Sequence, residues 1–163
     1  MAFKQWLIEF LNGTPEDQKD RASTPPPVAD LLEEEAAGLN FRTAIEAHQK
    51  WKAHLQALIV DDLLDDLSVE DVSRDDRCTL GMWIHGAGKK RFGRDILFKA
   101  LEKNHAHFHI CAGQVLKTAL AGNKDDAQAA LKTGDFARAS QTIILSLAQM
   151  YNKAAEPHSK PNK

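Results

Sequence analysis

Apolar residues in this chain recur at intervals of three and four and almost nowhere at intervals of two, a pattern that commits it to helices. Phe41, Ile45, Trp51, Leu55, Leu58 and Ile59 form one stripe; Phe98, Leu101, Phe108, Ala112, Leu116 and Leu120 form a second; Phe136, Ile143, Ile144, Leu147 and Met150 form a third. β-Branched residues are few, and no stretch alternates cleanly. Asn40 is placed to cap the first long helix, which is expected to end in the acidic tract at 61–76. Gly122 closes the second. The turn Thr133-Gly134-Asp135 separates a shorter helix at 123–132 from the last long one. A further short helix is expected to start around Asp76–Cys78, with Asp75 or Asp76 as its cap, and to stop at Gly86 and Gly88. The fold class that follows is all-α: an up-and-down, four-helix-type bundle with an additional short cysteine-bearing helix.

The 163 residues suit one domain with an appendage. Phe3, Trp6, Leu7, Phe10 and Leu11 fall at i, i+3, i+4, i+7 and i+8, an amphipathic N-terminal helix over 1–12. Residues 13–37 are rich in proline and charge and are expected to be a linker. The bundle should occupy 38–155 and a polar tail 156–163. Surface-binding helices are rich in Lys and Arg, whereas the N-terminal one sets a lone Lys4 against Glu9. Docking on the bundle or a partner is therefore favoured over a membrane surface.

Charge narrows the partners. The net charge of −2 steers the chain towards neither nucleic acid nor an anionic bilayer. No run approaches the roughly 18 apolar residues that span a membrane, and no secretory signal is evident. Two cysteines cannot build a disulfide scaffold. A cytoplasmic protein is expected, in which cysteine signifies metal or reactivity more than a bridge.

The histidines fall where apolar residues should be. His48 fills the gap in the first stripe between Ile45 and Trp51. His105 and His109 fill the gap in the second, four residues apart and so one turn apart on one face. A single ion bonded at about 2.0–2.1 Å to each nitrogen bridges such a pair. A lone histidine on an apolar stripe is ordinarily a hydrogen-bonded core residue, but three facing one core need a common partner. His107 points to the opposite side and is expected to be exposed and unligated. His54, His85 and His158 lack a seam position or a partner.

Cys78 supplies a fourth ligand from the first turn of the short helix, where a helix N-terminus favours the thiolate. Leu80 and Trp83 should pin that helix to the bundle, and Gly81 should admit another backbone at close range. Three imidazoles and a thiolate suit tetrahedral Zn²⁺ with no position left for substrate, so no enzyme is expected. Cys111 is turned away from His109 and is expected to be a small core residue. A carboxylate-bridged di-iron enzyme is the competing catalytic reading, since Glu102-x-x-His105 matches one element of such sites. It lacks the second such element on another helix that those sites require.

With "HQKWKAHL" at 48–55, "CTLGMW" at 78–83 and "HAHFH" at 105–109, the chain resembles the chemoreceptor zinc-binding domain family, a bacterial signalling module. The resemblance covers about residues 38–155. It implies a helical bundle holding zinc through His48, Cys78, His105 and His109, the same four that periodicity selects. It also implies a sensory rather than catalytic role, dimerisation, and association with chemoreceptor or diguanylate cyclase signalling. Met82 stands where the family commonly has a basic residue. No catalytic or methyl-accepting region is evident, so a standalone domain with its output in a signalling partner is expected. The alternative input is oxidation: converting Cys78 to a sulfenic acid would weaken its hold on zinc.

Overall fold

The computed structural model describes residues 35–64 and 67–155. The expected N-terminal helix, most of the expected linker and the polar tail lie outside these residues. The fold is the expected all-α bundle, with one small addition at its start. Two-residue strands β1 (Glu35–Ala36) and β2 (Leu39–Asn40) pair antiparallel. They are joined through Ala37 and Gly38, both at positive φ. The hairpin therefore claims the last residues of the expected linker. It is tied down by burial of Leu39 and by the Trp83 indole, whose Nε1 donates to the Ala37 carbonyl at 3.0 Å.

Helix α1 (Phe41–Asp61) starts where Asn40 caps it, the Asn40 side chain accepting from the Thr43 N–H at 2.8 Å. It ends at Asp62 in the left-handed region. Its buried face is Phe41, Ala44, His48, Trp51, Leu55 and Ile59, so His48 sits in the apolar stripe. The acidic tract beyond is not merely a frayed helix end. It contains a separate helix α2 (Val69–Ser73), capped by the Ser68 hydroxyl on the Asp71 N–H. Val72 is buried, and Ser73 lies directly over Gly113, where a Cβ would fall 1.8 Å from the Ser73 hydroxyl. The glycine in mid-helix is what admits α2.

Helix α3 (Thr79–Trp83) runs into a π-type turn (Ile84–Gly88) and then α4 (Lys89–Phe92). The expected stop at Gly86 and Gly88 is thus a kink, with Gly86 at φ −109° and ψ −107°. Gly88 serves packing instead of termination: a Cβ there would lie 2.7 Å from the Trp83 ring. Helix α5 (Ile96–Leu120) is capped by Asp95. It is followed by α6 (Lys124–Thr133) and α7 (Asp135–Ala155). Leu120, expected in the apolar stripe, is instead exposed at the last turn of α5.

Ring contacts give the directions of the long helices. Phe41 and Phe98 both meet Trp83, Trp51 meets Phe108, and Asp62 pairs with Lys124 at 2.7 Å. Helices α1 and α5 therefore run the same way, which the long α2–α4 crossover allows. Helix α7 runs against both, since Phe136 meets Trp51 and Phe108 while Tyr151 meets Phe41. The consequence for the site is that His48 on α1 and His105 and His109 on α5 come level, with the α2–α3 segment closing over them.

Candidate metal centre

A cysteine and two histidines converge here. One ligand atom from each of Cys78, His105 and His109 lies within 4.8 Å of the other two, and all three residues are buried. The Cys78 Sγ is 3.3 Å from His105 Nε2. The His105 and His109 rings are 4.7 Å apart by centroid. His48 falls outside that tightest group but borders it, its ring 5.7 Å from that of His105. A cavity of about 40 Å³ is lined by His48, Cys78 and His109 together with Ala47, Trp51, Asp71, Val72, Arg74, Arg77 and Phe108.

Each ligand candidate is held by the backbone around it. Cys78 is itself the N-cap of α3, its Sγ accepting from the Gly81 N–H at 3.2 Å. The expectation that Asp75 or Asp76 caps this helix is corrected by their own partners. Asp76 takes a two-pronged bond from Arg74, and Asp75 pairs with His85 at 3.1 Å. Gly81 does admit a backbone at close range: a Cβ there would meet the Asp75 carbonyl oxygen at 1.7 Å. The loop from Asp75 to Cys78 is thereby folded tightly onto the helix it precedes.

The histidines are oriented in the same manner. His48 Nδ1 donates to the Ala44 carbonyl at 2.8 Å, and His109 Nδ1 donates to the Val72 carbonyl at 2.9 Å. Each bond leaves Nε2 as the nitrogen with the lone pair, the form a metal requires. His109 Nε2 and His105 Nδ1 are buried side-chain polar atoms with no hydrogen-bond partner among the described residues. An orphaned atom of that kind costs about 1–3 kcal/mol. A cation beside three imidazoles and a thiol would take up the lone pair of His109, so the residues present fit zinc. Asn104, adjacent to His105, donates to Ser146 at 2.8 Å and locks α5 to α7 at this level.

The Val72 and Ala44 carbonyls were not singled out from sequence. The Ser68-x-x-Asp71 start of α2 and the isolated Gly113 were the available signals of a helix packed at that point. His107 is exposed, with its Nε2 3.6 Å from Cys111 Sγ, and Cys111 is buried. His85 is exposed, His54 is half-buried, and His158 lies outside the described residues. Glu102, the carboxylate of the di-iron reading, pairs with Lys89 at 3.2 Å, and among the described residues no carboxylate joins the ligand cluster.

Burial sets the protonation states of the metal-free site. It lowers His48 to about 4 and His105 to about 2, and it holds His109 below the ordinary imidazole value of 6.5. It pushes the Cys78 thiol up to about 11, against the opposing pull of the Gly81 and Leu80 N–H groups. The unfolded chain therefore binds protons that the folded chain refuses once pH falls below about 6.5. Stability of the metal-free protein is expected to be full above that pH and to fall as pH drops towards 4. His48 alone contributes a few kcal/mol across that window. Urea unfolding at several pH values, followed by circular dichroism in the presence of a chelator, reads this directly. A stability that stays constant between about pH 6.5 and 4.5 would show that the imidazoles are not held neutral.

The model of the chemoreceptor zinc-binding domain matches residues 48–116, a span that contains all four sequence-selected ligands. No curated protein and no solved structure matches the chain.

Proposed function

We propose, from the match of residues 48–116 to the chemoreceptor zinc-binding domain model, that the chain is a non-catalytic sensor holding one Zn²⁺ through His48, Cys78, His105 and His109. The observation that carries this reading is the cluster of Cys78, His105 and His109 within 4.8 Å, with His109 Nε2 buried and unpartnered. His48 joins the set because its Nδ1 is engaged by Ala44 and it lines the same cavity as Cys78 and His109. Bound zinc would supply positive charge that keeps the thiolate ionised and ties three segments together. The protein's part is to present neutral imidazoles, fixed by the Ala44 and Val72 carbonyls, and a thiolate that accepts from Gly81.

Occupancy then acts on packing. Ligands from α1, the start of α3 and α5 meet at one point, so metal binding free energy becomes free energy of docking the α2–α3 segment. The signal passes to a bacterial partner of the chemotaxis or cyclic-di-GMP type, from a cytoplasmic homodimer. Ile110 on α5 and Leu145 on α7, both well exposed, offer apolar surface for such contacts. No helix among the described residues is long and apolar enough to cross a membrane.

Elemental analysis of the purified protein tests the central claim. One zinc per chain is expected, falling to substoichiometric when any of the four ligands is replaced. Two irons per chain would instead install the di-iron reading. The cavity lined by Cys78 favours a second input, oxidation of the zinc thiolate by peroxide or hypochlorous acid to the sulfenic acid. Mass spectrometry after mild oxidant should then find Cys78 modified and zinc released together. A Cys78 inert to oxidant rejects that input while leaving the zinc site standing.

A further inference from the structure

A second concavity lies away from the metal centre. Helices α1 and α7 enclose a groove of about 370 Å³ lined by Phe41, Arg42, Ile45, Glu46, Ala148, Tyr151 and Asn152. Its floor is apolar and aromatic, and its rim carries one cation and one anion, Arg42 and Glu46, a single turn apart. We propose that this groove is the docking site of the chain's own N-terminal segment, residues 3–11, bound as an amphipathic helix.

Two observations commit the groove to this occupant. The first is where the chain enters the fold. Strand β1 packs against α7, which is one wall of the groove. The segment is thus joined to the fold beside its site through residues 12–34, a stretch whose fully extended length of about 80 Å is more than enough to reach the groove. Such tethering gives an effective concentration in the millimolar range, so even weak docking is populated. The second observation is complementarity. Phe3, Trp6, Leu7, Phe10 and Leu11 share one helical face, the shape an apolar groove between two helices accepts. The segment carries one charge of each sign, Lys4 and Glu9, as the rim does. Lys4 stands on one flank of that apolar face, where it can meet Glu46 on the rim. Ile45 lies one turn from His48 on α1, so the docked segment rests close to the helix that carries a proposed zinc ligand. The docking itself does not depend on zinc being bound.

A helix this short is not stable alone in water, so protection of its amides reports docking. Hydrogen exchange of the 163-residue chain, read by mass spectrometry, is expected to show residues 5–11 protected about ten-fold or more over an unstructured peptide. Ala148→Arg plugs the groove and should abolish that protection. Glu46→Arg, at an exposed position, should lower it about two- to three-fold and leave the fold intact, so it decides the matter if Ala148→Arg does not fold. Unprotected amides in the wild-type chain overturn the proposal, as does protection that survives both variants. Protection that rises with protein concentration alongside a doubling of sedimenting mass assigns the groove to a second copy and overturns it. Protection that appears only with phosphatidylglycerol vesicles assigns the segment to a membrane surface and overturns it as well.

Discussion

Zinc at a thousand times its dissociation constant is expected to raise the midpoint of thermal unfolding by roughly 12–20 °C. Binding to the native state alone at that excess contributes about 4 kcal/mol. A domain of this size shifts by about 3–5 °C for each kcal/mol. The gain is large because the metal-free site is strained chemically rather than sterically. Three neutral imidazoles and a protonated thiol share one buried spot, with His105 Nδ1 and His109 Nε2 unpartnered. Bound zinc would displace the thiol proton and take up the His109 lone pair, so binding should also release about one proton per ion at neutral pH. Calorimetric titration in buffers of different ionisation enthalpy counts that proton, and scanning calorimetry gives the shift. A midpoint that moves by less than about 3 °C, or equally with Mg²⁺, would remove the switch.

Loss of single ligands should separate affinity from folding. Both Cys78→Ala and His105→Ala are expected to weaken zinc binding by more than the roughly 10–100-fold that loss of an outer-shell partner costs. Without metal the two should differ. Cys78→Ala removes one sulfur atom and the acceptor of the Gly81 N–H, a cost of about 1 kcal/mol or less. His105 is fully buried among the rings of His48 and His109 and the Cys78 sulfur. Its truncation opens a cavity in the middle of the α1–α5 seam, and the gain from deleting its orphaned Nδ1 offsets only part of that. A net loss of about 2–3 kcal/mol is expected. Urea denaturation with chelator present ranks the two variants, and the reverse order would contradict this assignment of roles. Of the four proposed ligands, Cys78 is expected to be the one most readily released. The acidic tract before it carries an ordered helix keyed against Gly113. Release follows from the thiol, which burial favours in its protonated form and which must ionise to bind.

The sequence by itself determined the helices and the phase of the histidines. Periodicity of 3.6 residues decides which face of α1 or α5 is buried, and that face includes His48, His105 and His109 whatever their partners. Asn40 and Gly122 mark helix ends through local hydrogen bonding and positive φ, both of which are properties of a few adjacent residues. Tertiary structure alone decided what lies opposite each face. That α1 and α5 run in the same direction, bringing His48 level with His105, depends on how the crossover from 62 to 95 returns. No local pattern encodes that path. The same holds for the small elements: α2 and the β1–β2 hairpin are too short to be stable alone and exist because Gly113 and Trp83 receive them. The carbonyls of Ala44 and Val72 follow from this too. Every residue carries such a group, so only the packed fold selects the two that hold a histidine's Nδ1 and leave its Nε2 lone pair free.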